Sequence, residues 1–300
     1  MYFPTADIDV SPFVPPLMAF AVSFFSSMGG LSGAFLLLPL LMTFLGYTNP
    51  SVSATNQLYN VFSSPGGIFR YCREGRLLWP LSWIIIAGAV PGVVAGGFIR
   101  LHWLAQVRPF KLFVALVLFG IALEMLYDLL GRRRAAPAPA CGAPGMARPV
   151  VEVTQSSLSR VAYTFSGRLH AFSVPAVCAC SVAVGLVGGI YGIGGGAIIA
   201  PFLVSMFRLP IHTVAGATLM ATFVNALAGV LFYVAVSPFY PGLNVAPDWG
   251  LAALLSLGGL TGMYCGARFQ KRVPPVLLKW MLVLTLLGMV AVYGAELLGD

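Results

Sequence analysis

Charge is scarce in this chain. Only 9% of its 300 residues are Asp, Glu, Lys or Arg, and acidic residues number nine. An ordinary soluble domain carries about a quarter charged residues, so this composition, with a mean hydropathy of +0.90, excludes one. The few carboxylates stand near segment ends, which argues against a cation channel or carrier, where Asp or Glu is expected at the membrane midplane. Histidine is rarer still, with three residues. No HExxH, GxSxG, paired carboxylates or nucleophile with a base occurs, so neither an intramembrane enzyme nor a metal centre is expected. Five cysteines are an odd number, and Cys178-x-Cys180 is not CxxC, so no disulfide framework or zinc site follows. The first twelve residues hold Asp7 and Asp9 but no Lys or Arg, the reverse of a signal-peptide start.

What is plentiful is apolar sequence and glycine: 59% hydrophobic residues and 34 glycines. The chain is organised around Gly188-Gly189-Ile190-Tyr191-Gly192-Ile193-Gly194-Gly195-Gly196-Ala197-Ile198-Ile199-Ala200-Pro201. That stretch lies inside an apolar run from Phe172 to Phe207, where it must interrupt a helix within the bilayer. The helix restarting at about Ala197 then begins with unbonded N–H groups and a positive dipole end, a setting suited to an anion.

The same pattern occurs earlier. Gly30-Leu31-Ser32-Gly33-Ala34-Phe35-Leu36-Leu37-Leu38-Pro39 lies over Gly192 to Pro201 at a constant offset. With small slips, Ala54-Thr55 lies over Ala217-Thr218, Trp79 over Trp249, and Gly88/Gly92/Gly96 over Gly258/Gly262/Gly266. A duplication of about 160 residues in an apolar chain marks a secondary transporter with its site between the halves.

Length divides the chain. Phe13 to Leu45 would run about 50 Å as one helix, against a hydrocarbon core of about 30 Å. The glycines therefore split it into arms Phe13 to Met28 and Ala34 to Leu45. Val52 to Phe69 is unusually polar, and Pro65-Gly66-Gly67 predicts a distorted helix there. Helices follow from Trp79 to about Ile99 and from Pro109 to Leu130. The second half repeats the plan in Phe172 to Phe207, Thr213 to Ser237, Trp249 to Phe269 and Val276 to Leu298. Residues 1–131 form a first membrane repeat, 132–168 an Arg/Pro/Ala-rich linker reading as a mobile connection, and 169–300 a second repeat. The expected fold is an all-α integral membrane protein of two inverted-topology repeats, each a glycine-broken helical hairpin plus three transmembrane helices.

Basic residues give the orientation. If each broken segment re-emerges on its own side, fourteen of the 17 Lys and Arg residues fall on the cytoplasmic side, and only Arg100, Arg108 and Lys111 lie outside. The positive-inside rule favours this arrangement, with both termini outside and the linker cytoplasmic. Segments crossing completely would place Arg268 to Lys279 outside and are rejected. The net charge of +8 is not interleaved with aromatics as a nucleic-acid surface would be, so lipid is the expected partner.

The duplicated GxGGG break with its proline five residues on, the downstream Ala-Thr, and the Trp before a G-x-x-x-G helix ending in Ala-Arg (Gly262 to Arg268) together resemble the sulfite exporter TauE/SafE family of bacterial membrane transporters. The resemblance covers roughly Phe13 to Leu130 and His170 to Leu298. It implies export of small sulfur-containing anions such as sulfite, sulfoacetate or other organosulfonates across the bacterial inner membrane, with no cofactor. The first half departs from the pattern, having Gly30-Leu31-Ser32-Gly33-Ala34 where the second has Gly192-Ile193-Gly194-Gly195-Gly196. Equivalent binding by the two half-sites is therefore not expected.

The expected substrate-binding set is Gly30, Ser32, Gly33 and Ala34 at the first break, with Gly192, Gly194, Gly195, Gly196 and Ala197 at the second. Thr55, Asn56, Gln57, Asn60, Ser63, Thr218, Thr222 and Asn225 complete the shell. No Lys or Arg is expected centrally, so dipoles and neutral donors would hold the anion. The Gly88 and Gly258 stripes read as helix packing, within a subunit or between the subunits of a homodimer. Tyr191 reads as a gate or an amphipathic anchor. Glu124 and Asp128 read as interfacial partners of Arg132 to Arg134.

Overall fold

Both long apolar runs break where the glycines stand. In the computed structural model, which describes residues 1–28, 33–73, 75, 77–130, 152–157, 159–165, 168–269 and 275–299, α1 (Val14–Met28) gives way to α2 (Ala34–Phe44). The second run divides in the same manner. Taking helix labels in chain order, α7 (Val174–Tyr191) is followed by α8 (Gly196–Ser205). Gly192 ends α7 at φ +90°, a left-handed position that glycine adopts at no steric cost. The amides of Gly192 and Ile193 both close on the Gly188 carbonyl, at 2.8 and 3.0 Å. Gly195, at φ +77°, then opens α8 by accepting the Ile198 and Ile199 amides, each at 3.1 Å.

Between the two breaks lie α3 (Ser51–Ser63), α4 (Pro65–Arg73), α5 (Trp79–His102) and α6 (Val107–Leu130). After them come α9 (Ile211–Val236), α10 (Trp249–Phe269) and α11 (Pro275–Gly299). The distortion expected at Pro65 separates α3 from α4: proline has no N–H for the helical ladder, while the Ser64 amide still reaches the Asn60 carbonyl at 3.0 Å. Four described helices are long and apolar enough to cross a membrane: Trp79–His102, Val107–Tyr127, Val174–Tyr191 and Thr213–Phe239. The protein is a mostly helical, multi-pass membrane protein.

The all-α expectation needs correction at two places. A short antiparallel pair, β1 (Tyr2–Phe3) with β2 (Ile8–Asp9), precedes α1. A three-stranded antiparallel sheet, β3 (Glu152–Ser156), β4 (Arg160–Phe165) and β5 (Arg168–Ser173), occupies the C-terminal part of the predicted linker and the start of the predicted second repeat. Its cause is the run Val161-Ala-Tyr-Thr-Phe165, in which Val161, Tyr163 and Phe165 are all buried, a strand pattern. Phe172, expected to begin the broken helix, is the penultimate residue of β5. The Tyr163 hydroxyl lies 3.0 Å from Thr213 Oγ1, docking the sheet on the start of α9. Residues 135–145 and Arg132 to Arg134 lie outside the described residues, as does any pairing of Glu124 or Asp128 with those arginines.

The two halves interlock through small residues. Along α5, Gly88, Gly92 and Gly96 meet the backbone of Cys178, Val182 and Leu186 on α7, and Gly185 and Gly189 meet Ala89 and Val93 in return. Helices α10 and α1 make the matching contact, with Gly258, Gly262 and Gly266 against Pro16, Phe20 and Phe24. In both pairs contact numbers rise together, so the helices run parallel at a separation that only a missing Cβ permits. Both stripes are thus used inside the chain. Other pairs run oppositely. Gln57 meets Gly229, Gly67 meets Leu219 and Tyr71 meets Gly216, so α3 and α4 pass antiparallel to α9. Lys111 near the start of α6 pairs with Glu296 near the end of α11 at 2.5 Å.

Candidate functional site

The second break rests against one face of α3. Ser53 Oγ donates to the Ile190 carbonyl at 3.3 Å, Asn56 Nδ2 to Gly192 at 3.0 Å, and Asn60 Nδ2 to Ile193 at 2.9 Å. Spacings of three and four put these side chains in one row. From the opposite side, Asn225 Nδ2 of α9 donates to the Gly194 carbonyl at 3.0 Å. The break gives these carbonyls few partners of its own, the Gly196 amide reaching Gly194 at 3.0 Å, and in lipid the protein must supply the rest. The amide side chains perform that task.

Asn56 also joins the two breaks. The same Nδ2 donates to the Ala34 carbonyl, at 3.0 Å, in the first turn of α2. Beside it, the Tyr191 hydroxyl donates to the Phe35 carbonyl at 2.6 Å. Two carbonyl acceptors fix which atom of Asn56 is nitrogen, and its Oδ1 is left buried without a hydrogen-bond partner. Asn225 Oδ1 and both amide atoms of Gln57 are in the same condition. Buried polar atoms are almost always paired, so two orphaned amide oxygens on side chains that hold the break, those of Asn56 and Asn225, with Gln57 orphaned between α3 and Gly229 of α9, mark the region as a place for something more than helix packing.

The remaining expected residues are placed unequally. Gly33 packs on Ser23 and Tyr59. Gly196 packs on Thr218 and Thr222, with Ala197 following in the first turn of α8. Thr218 and Thr222 hydroxyls donate to the carbonyls of Val214 at 3.0 Å and Thr218 at 2.8 Å, so their protons are committed to α9 itself. Thr55 is not brought to the break. Its Oγ1 lies 2.7 Å from the Tyr47 hydroxyl and accepts the Asp248 amide at 3.0 Å, serving the start of α10, where Asp248 in turn accepts the Leu251 amide at 2.9 Å. Ser63 is buried at the last turn of α3. Gly30 and Ser32 lie outside the described residues. Every described polar member of the set is buried, so the site is closed in this conformation.

One basic residue read from sequence as part of a loop is buried in the protein. Arg100 exposes 0% of its surface. Its Nε lies 3.4 Å from Ser53 Oγ, Nη1 reaches the Leu104 carbonyl, and the guanidinium sits 3.6 Å above the Phe110 ring. Nη2 has no partner. The signal was present in the sequence, because Arg100 continues Gly88, Gly92 and Gly96 at the same four-residue spacing. At the end of that stripe the side chain is enclosed by Ser53 of α3, by Leu104, and by Phe110 of α6.

Comparison with known proteins identifies the family. The model of the sulfite exporter TauE/SafE family matches residues 16–293. A probable membrane transporter protein of Xylella fastidiosa (strain 9a5c) is 25% identical over 252 residues, covering 84% of this chain and 82% of the relative. The probable membrane transporter protein YunE of Bacillus subtilis (strain 168) is 22% identical over 278 residues, covering 89% and 92%. The corresponding figures for YdhB of the same strain are 24% over 260 residues, 85% and 89%. No solved structure gives a significant match. With nearly its whole length inside the family model, the chain belongs to the sulfite exporter TauE/SafE family and is a membrane transporter.

Proposed function

We propose that this transporter exports small sulfur-containing anions, sulfite or an organosulfonate such as sulfoacetate, by alternating access around the paired glycine breaks. The observation that carries the reading is the meeting of the two breaks at Asn56, whose one amide nitrogen serves both Ala34 and Gly192. Half-helices α2 and α8 start beside this junction, and their positive dipole ends favour negative charge. With a negative cell interior, expelling one negative charge is favoured by about 2.3 kcal/mol per 100 mV, so export needs no coupling ion in principle. The halves are inverted repeats. Support comes from the opposed courses of equivalent elements, α3 and α4 against α9 and α6 against α11. Alternating access then amounts to movement of one set of elements against its mirror set.

A second reading, transport of another small solute, draws on one observation. Asn56 Oδ1, Asn225 Oδ1 and Gln57 Oε1 are orphaned acceptors, against Gln57 Nε2 as an orphaned amide donor, which suits a ligand carrying N–H or O–H groups. Flux from proteoliposomes loaded with sulfite, sulfoacetate, taurine or sulfate decides. Efflux of sulfite or sulfoacetate above protein-free vesicles is expected. Efflux of taurine alone, which carries an ammonium donor, would favour the second reading, and no efflux of any sulfur compound would sink the first.

A further inference from the structure

Arg100 carries a charge that no carboxylate among the described residues neutralises. Its contacts are a hydroxyl, a carbonyl and an aromatic face, all neutral, and each compensates part of the guanidinium without cancelling it. A buried cation left in this state is costly, and removal from water makes its pull on any anion stronger. Nη2 still holds N–H donors with nothing to receive them. The planar guanidinium fork suits the oxygens of a small oxyanion, and the Ser53 hydroxyl stands beside it.

Its place in the fold gives the charge a use. Ser53 Oγ touches both Arg100 Nε and the Ile190 carbonyl, two residues before Gly192. Arg100 therefore stands directly beside the second break, in the last turn of α5, on the side of the junction with α6. In the other half the matching position falls to Gln270 when Gly96 is laid over Gly266, so this charge belongs to one half only.

We propose that Arg100 is an anion-binding residue, a station for a small oxyanion between the glycine break and the α5–α6 end, with Nη2 donating to an oxyanion oxygen. The inference rests on the reading of the protein as an anion transporter, and names the residue that supplies its positive charge. It also gives the two directions of passage unequal steps, because an anion meets the guanidinium on one side of the break.

The test uses the full-length protein in detergent. Its thermal unfolding midpoint is followed against rising sulfite, sulfate, phosphate and chloride, with gluconate balancing ionic strength, for the wild type, R100Q and R100K. The expected result is stabilisation of the wild type by at least one small anion. In R100Q the half-saturating concentration should rise by at least about tenfold, about 1.4 kcal/mol, with R100K between the two. Loss of an uncompensated buried charge should leave the anion-free midpoint of R100Q level or higher. An R100Q titration matching the wild type overturns the proposal, as does a wild type that no anion stabilises. If R100Q fails to fold, R100K decides, since an unshifted half-saturation overturns the assignment and a raised one upholds it. The two readings fail separately. Arg100-dependent stabilisation by phosphate or chloride without sulfur-anion flux would remove only the sulfur substrate, whereas normal sulfite flux and titration in R100Q would remove only Arg100.

Discussion

The Tyr191 hydroxyl donates to the Phe35 carbonyl at 2.6 Å, so the last residue of α7 is fastened to the first turn of the half-helix after the other break. Tyr191 exposes 0% of its surface. Of the two roles open to it from sequence, gate or amphipathic anchor, the second does not fit a side chain with no exposed surface. It is a latch between the breaks, and any movement of one relative to the other must release it or carry both together.

Replacing Tyr191 by Phe should leave the Phe35 carbonyl buried and unpaired. The expected cost is about 1–3 kcal/mol, read as a lower thermal midpoint in detergent. If the latch holds the closed state, sulfite flux should change more than membrane insertion does. Unaltered stability and flux together would show that the contact is dispensable.

The glycines of the second break should not respond equally to alanine. A Cβ on Gly192 would lie 2.5 Å from the Ser53 carbonyl oxygen, whereas one on Gly195 meets nothing nearer than 3.4 Å. Both carry the left-handed backbone penalty of about 1 kcal/mol. Gly192→Ala adds a collision of its methyl group with the Ser53 main chain and should impair folding and transport more severely than Gly195→Ala. The measurement is surface-expressed protein and flux for each, and an equal effect would refute the ranking.

Asn56 should tolerate no loss of its amide nitrogen. Asn56→Asp removes the donor to Ala34 and Gly192 and sets a carboxylate between two carbonyls at the proposed anion site. Sulfite efflux should fall to the protein-free background, and Asn56→Ala should fall less far because it adds no negative charge. Efflux retained in the aspartate variant would place the anion elsewhere.

The pairing of α6 with α11 can be checked by charge exchange. Lys111 and Glu296 have side chains 18% and 37% exposed, so the pair contributes about 1 kcal/mol or less. Lys111→Glu alone sets two carboxylates together and should lower the midpoint, and the exchange Lys111→Glu with Glu296→Lys should restore most of it. A double variant no better than the single would remove the contact.

Alternating access predicts accessibility from both faces in turn. Gln57→Cys in a background without the native cysteines puts a buried thiol on α3, next in sequence to Asn56 and against Gly229 of α9. An impermeant thiol reagent should label it from each side of oriented vesicles, at rates that shift when sulfite is added. Labelling from one face only, in every condition, would contradict the mechanism.

Much of this fold was legible in the chain itself. Hydropathy and length required membrane segments, and a run too long for the bilayer, interrupted by consecutive glycines, had to bend within it. The duplication placed a second break beside the first in the plan, and Pro65 located the joint between α3 and α4. These features depend on local backbone chemistry or on solvent, and both are written in residue order. The sheet over β3 to β5 is masked in the sequence, because its short strands lie next to a stretch whose prolines and arginines dominate the composition.

Direction of side chains belonged to the tertiary structure. Asn56, Asn60 and Asn225 appear in sequence as donors for a ligand, yet a broken helix leaves carbonyls that only neighbouring helices can satisfy, and their amide nitrogens are drawn to those. Thr55 belongs to the start of α10 for the same reason, since the Asp248 amide needed an acceptor. Arg100 reads as a loop charge in the positive-inside count, but α3 and α6 close over it. Sequence by itself determined that the chain crosses a membrane and breaks twice within it, because glycine and hydrophobicity act locally; which polar atoms close those breaks, and which remain free for a solute, was decided only when distant helices came within hydrogen-bonding reach.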